Sequence, residues 1–153
     1  MRQGVNWSIQ RRAMRNYVSG ETDLNTLMQS MTAQLGDGVY VFVTLPNGDV
    51  PAGITPRMVF HEAEGTTLIL LRDAALALGL DFEFPCRMIT LNVHSALDAV
   101  GFIARIATAL AGEGMGVNPV AGFFHDHLFV PDGRQDDAMR ILEQLAKDAG
   151  ATG

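Results

Sequence analysis

Residues 88–131, MITLNVHSALDAVGFIARIATALAGEGMGVNPVAGFFHDHLFVP, read as strand, helix, strand, turn and strand. Ile89, Leu91 and Val93 alternate with Met88, Thr90 and Asn92, the two-residue period of a strand with unlike faces. Ser95-Ala96-Leu97-Asp98 has the spacing of a capping box with aspartate in the glutamate position, so Ser95 is expected to cap the following helix. Leu97, Val100, Ile103, Ala104, Ala107, Leu110 and Ala111 then share one helical face, which predicts a helix packed on a sheet. Gly112, Gly114 and Gly116 stop it, residues 117–123 form the next strand, and residues 127–130 pair back after a turn. Gly101 falls early in this helix, where glycine costs about 0.5–1 kcal/mol relative to alanine. A close approach to the backbone, by a ligand or by the neighbouring strand, would offset that cost.

The flanks continue the pattern. Asp132 is placed to cap a last helix whose apolar face is Ala138, Ile141, Leu142 and Leu145, with Asp136 and Asp137 suiting the positive end of its dipole. Upstream, Leu24, Leu27, Met28 and Met31 recur at helical spacing behind Thr22 or Asp23 as cap, and Gly36-Asp37-Gly38 closes that segment. Residues 39–45 (VYVFVTL) are β-branched and aromatic, as in a strand covered on both faces. Residues 46–57 hold Pro46, Pro51 and Pro56 and read as an irregular loop. Residues 58–62 and 66–71 predict a hairpin, and residues 73–78 a short helix closed by Gly79. Residues 80–85 link the halves and are too short and too apolar to separate independent domains.

With 153 residues, 48% hydrophobic and 18% charged, the chain can bury a core. No apolar run approaches the roughly 18 residues of a membrane span, and no signal peptide is evident at the N-terminus. A single cysteine, Cys86, excludes an internal disulfide and agrees with a cytoplasmic setting. The net charge of −6 is unevenly spread. Arg2, Arg11, Arg12 and Arg15 lie in an acid-free head, and the rest of the chain carries 7 basic and 17 acidic side chains. So acidic a body is a poor surface for nucleic acid. The head is read as a flexible tail, with Met14 an alternative start.

The run from Val100-Gly101-Phe102 to Leu110-Ala111, followed by Gly114-Met115-Gly116-Val117-Asn118, resembles the helix-and-second-strand signature of ACT domains. Residues 60–70 (FHEAEGTTLIL) and 123–131 (FFHDHLFVP) bring the likeness closest to small bacterial proteins with two ACT-like halves in one chain. The resemblance implies an α+β fold of tandem ACT-like, ferredoxin-like βαββαβ halves, antiparallel sheets with helices packed on one face. The expected division is a tail at 1–21, halves at 22–84 and 85–147, and a tail at 148–153. It also implies a regulatory or sensor module that binds an amino acid or similar small metabolite without catalysis of its own. Such a module would form a homodimer and act on a regulated partner protein.

The second half is also similar to the C-terminal ACT repeat of eukaryotic cytosolic arginine sensors. By motif, their ligand positions fall on Ala99, Val100, Gly101, Phe102, Gly122, Phe123 and Asp126. Ala99 stands where the sensors carry an acid, so an arginine side chain would lose a carboxylate partner there. His94 and Ser95 flank the same loop. The expected ligand-binding set is therefore His94, Ser95, Val100, Gly101, Phe102, Gly122, Phe123 and Asp126. No cofactor or metal is expected. Two other readings remain: a small metal-dependent or acid–base enzyme using His125, His127, Glu62 and Glu64, and a structural interaction module in which the loop only packs.

Overall fold

The computed structural model describes residues 19–46 and 48–151. Helix α1, Leu24–Ser30, is capped by Asp23, whose carboxylate accepts the backbone N–H of Thr26 at 2.8 Å. Strand β1, Ala33–Leu35, lies between the expected helix and its closing Gly36-Asp37-Gly38, where no strand was expected. Strand β2, Tyr40–Leu45, follows, with Tyr40, Val41 and Val43 buried on its two faces. Strands β3, Met58–His61, and β4, Thr66–Leu71, make the expected hairpin, and α2, Arg72–Ala77, ends before Gly79.

Strand β5 runs from Glu83 to Leu91 and takes in residues 83–85 of the expected linker. Helix α3, Phe102–Gly112, strands β6, Asn118–Ala121, and β7, Asp126–Pro131, and helix α4, Gln135–Ala151, complete the order. Helix α4 thus continues through positions 148–151, expected as tail. The basic head and the alternative start at Met14 lie outside the described residues.

Among the described residues, seven strands form one antiparallel sheet in the order β3-β4-β2-β5-β7-β6, with β1 beside β5. Strand β5 is long enough to serve twice. Its first residues pair with β2 (Tyr40 opposite Cys86) and its last with β1 (Ala33 opposite Leu91), while β7 runs along its other edge. The passage between the two uses is irregular: register shifts between Tyr40 and Phe42, and Phe84 has φ 53°.

Two lobes of the same strand order result. One is β3-β4-β2 plus the start of β5; the other is β6-β7-β5 plus β1. The fourth strand of the second lobe therefore comes from the N-terminal part of the chain. Helix α1 goes with it: Leu27, Met28 and Met31 share a core with Ile89, Leu91, Phe102, Ile106, Leu110, Leu128 and Leu142. This helix, expected with the first half, packs its apolar face against α3 and α4. In chain order, residues 46 and 48–57 stand in the first lobe where the second lobe has α3. Their three prolines remove backbone donors and oppose a helix.

Helix α3 also starts later than expected. Gly101 is its N-cap, with φ 91° and ψ −10°, so Ser95 caps nothing there. The buried face is Phe102, Ile106 and Leu110, while Leu97 and Val100 are 72% and 84% exposed. The expected face was shifted because it counted residues 95–101 as helical. They form bends and turns, with Ala99 N–H donating to the Ala96 carbonyl at 3.0 Å.

Candidate ligand site at the strand–helix loop

The segment between β5 and α3 is held from outside by the incoming chain. Glu21 N–H donates to the His94 carbonyl at 2.8 Å, and Ala96 N–H donates to the Glu21 carbonyl at 2.9 Å. Gly20 is pressed so closely on this loop that a Cβ there would lie 2.4 Å from the Ala96 nitrogen. Behind the loop is a cleft of about 180 Å³ lined by Ser95, Ala96, Leu97, Ala99, Gly101, Phe102, Ile103, Ala104, Ala121 and Asp126.

Its polar side is Asp126, only 8% exposed, whose Oδ2 accepts the Ser95 hydroxyl at 3.0 Å. A buried carboxylate with one hydroxyl partner suits a cationic or ammonium group. Its other side is the first turn of α3. Arg105 N–H makes the first i→i−4 bond, to the Gly101 carbonyl at 2.9 Å, so the N–H groups of Phe102, Ile103 and Ala104 precede the helical ladder. Such groups, at the positive end of the dipole, accept an anion.

Of the expected set, Ser95, Gly101, Phe102 and Asp126 line the cleft together. The other four lie around it. His94 gives its carbonyl to Glu21 and its ring lies 5.5 Å from that of Phe124. Val100 points to solvent. Phe123 is exposed, with its ring edge on Phe124 at 5.0 Å. Gly122 closes the β6–β7 turn, its N–H donating to the His125 carbonyl at 2.9 Å, and a Cβ there would stand 2.7 Å from that oxygen.

Ala96, Leu97, Ala99, Ile103, Ala104 and Ala121 line the cleft outside the expected set. Starting the helix after Gly101, on the glycine signal rather than the serine one, would have pointed to Ile103 and Ala104. Gly101 is needed for its own conformation, since L residues rarely adopt φ 91° and a side chain there would be strained. Gly101→Ala is expected to cost about 1–2 kcal/mol, read as a lower midpoint in chemical denaturation.

No hydrogen bond joins the four side chains of the alternative acid–base group to one another among the described residues. Glu62 accepts the Thr67 hydroxyl, His61 Nδ1 lies 3.0 Å from Thr66 Oγ1, and Glu64 sits in the tight turn closed by Glu62 and Gly65. Glu62 and Glu64 thus do not share a strand face. His125 Nδ1 lies 3.4 Å from the Val93 carbonyl, and His127 Nδ1 lies 3.0 Å from Thr90 Oγ1. Among the described residues, no three His, Cys, Asp or Glu side chains gather to hold a metal ion. Burial holds the His127 pKa below its ordinary 6.5, with a smaller push from His125. Cys86 is a core thiol, donating to the Tyr40 carbonyl at 3.3 Å, and burial pushes its pKa up to about 12.

Two lobes of one strand order, with a polar cleft at the N-terminus of a helix, define a tandem ferredoxin-like module. The chain belongs to the ACT-domain family: ACT-domain models match residues 19–87 and 83–144. ACT domains are small-molecule-binding regulatory modules.

A protein of unknown function from Vibrio cholerae, described as a possible transport protein, is 38% identical with a TM-score of 0.72 over 80% of this chain and 95% of that one. A protein from Agrobacterium tumefaciens shares the fold at 18% identity, TM-score 0.65, over 76% of this chain and 89% of that one. So does the regulatory subunit of aspartate kinase from Thermus thermophilus, at 11% identity, TM-score 0.57, over 74% and 95%. No curated protein matches the chain. No helix among the described residues is long and apolar enough to cross a membrane.

Proposed function

We propose that the protein is a non-catalytic sensor of a small amino acid, bound in the cleft between Asp126 and the first turn of α3. The observation that carries this reading is a buried carboxylate facing helix N–H groups that have no place in the helical ladder. The ammonium group of the ligand pairs with Asp126 and the Ser95 oxygen; its carboxylate takes the N–H groups of Phe102, Ile103 and Ala104. A cleft of about 180 Å³ suits a short side chain, and Ala99 offers an arginine no counter-charge.

The likeness to an aspartate kinase regulatory subunit supports a regulatory role. Binding would favour one arrangement of loop, α3 and β7, and so alter the contact with a second copy or a regulated protein. Thermal shift against the twenty amino acids tests this. At ligand a hundredfold above Kd, a specific binder stabilises by about 2.7 kcal/mol, a rise of roughly 5–10 °C. The N-acetyl form of the same amino acid should give no rise. No stabiliser among the twenty would defeat the amino-acid reading.

A further inference from the structure

The sheet face turned away from the helices is also built from both lobes. It carries Tyr40, Ile69, Cys86 and Phe129, fully or almost fully buried, with Phe42, Met58, Met88 and Val120 packed around them. Met58 is on β3, at one edge of the sheet, and Val120 is on β6, at the other. Yet both line one cleft of about 170 Å³, together with Arg57, Met88, His127 and Phe129. The sheet therefore curls until its edges approach, and the space left between them has an apolar floor and one cation.

That cation is held in place. Arg57 Nε donates to the Tyr40 hydroxyl at 3.1 Å, and its guanidinium lies 5.8 Å from the Tyr40 ring centroid. Its terminal nitrogens have no hydrogen-bond partner among the described residues. No acidic side chain lines the cleft. Asp126 faces the other side of β7, since it shares a strand face with Leu128 and Val130 of the helix-side core. His127 is disfavoured as a second cation, because burial lowers its pKa.

We propose that this cleft is a second ligand site, distinct from the loop site, for a small organic monocarboxylate with a compact apolar body. The terminal edge of the guanidinium takes the carboxylate as a fork, and Met58, Met88, Val120 and Phe129 enclose the apolar part. A cavity of similar size, about 150 Å³, accepts benzene when its walls are apolar. An inorganic phosphate would leave oxygens against methionine and phenylalanine with no donors. The ligand would touch both lobes at once.

The test is an amide NMR titration of the full chain with sodium benzoate, and with benzamide as its uncharged counterpart. Benzoate should shift the amides of Met58, Met88, Val120 and His127 saturably, and benzamide should not. Arg57→Gln should weaken benzoate by about tenfold or more, and Val120→Phe, which fills the cleft from the opposite edge, should abolish it with Arg57 intact. The spectrum of each variant reports whether it is folded. The proposal is overturned if benzamide reproduces the shifts or if both variants still bind benzoate unchanged. It is also overturned if the shifts fall only on residues 95–104, which would place the anion at α3. The amino-acid reading of the loop site stands or falls separately, on the thermal-shift screen.

Discussion

Replacing Leu27 by alanine will destabilise the protein by about 2–5 kcal/mol, and the loss will fall first on the second lobe. Leu27 is fully buried, and its neighbours in the core are the side chains of α3, α4, β5 and β7 rather than those of the first lobe. The first lobe has a separate core of Val41, Val43, Leu68, Leu70 and Ala75. Helix α1 is further tied to the end of α4, where Gln29 Nε2 donates to the Ala149 carbonyl at 2.9 Å. A cavity at Leu27 therefore removes contacts from residues 89–149. Chemical denaturation will report the size of the loss. Hydrogen exchange will report its location, as lower protection in α3, α4 and β7 before β2–β4. If β2–β4 open first, α1 is not an energetic part of the second lobe.

Asp126→Ala will weaken the stabilising amino acid by about 10–100-fold. The basis is a charge-assisted hydrogen bond of about 1.5–3 kcal/mol, at about 1.4 kcal/mol per tenfold in Kd. The folded protein should tolerate the change, because Asp126 borders the cleft and the Ser95 hydroxyl it leaves behind can turn to water. Calorimetric titration of both proteins with the same amino acid measures the difference. Equal affinities would remove Asp126 as the ammonium partner. Loss of binding with an unchanged melting point in the absence of ligand would separate recognition from folding.

Much of the framework could be read from local pattern. The hairpin of β3 and β4, strand β2, and the apolar face of α4 each carry their period within a dozen residues or so. The site was legible in part. Gly101 and Asp126 were marked by residue type and by the ACT resemblance, and both border the cleft. Gly122 was marked too, but its glycine serves the turn against His125. The serine-first capping pattern misled because Ser95 has a stronger use at long range, as a donor to Asp126 thirty-one residues away. The chain enters α3 instead through Gly101, whose left-handed conformation makes it the N-cap.

The α+β class, the family, the two-lobed repeat and the loop that borders the cleft are legible along the chain. These depend on hydrophobic period, turn residues and short motifs, which act over a few neighbours. Long-range packing sets which lobe receives α1 and β1, how β5 serves both lobes, and that two opposite sheet edges meet around Arg57. Those outcomes depend on which apolar faces complement one another and on how far the sheet curls. Residues 19–35 carry an amphipathic helix and a short strand, but nothing in their own pattern says that their partners lie more than fifty residues downstream.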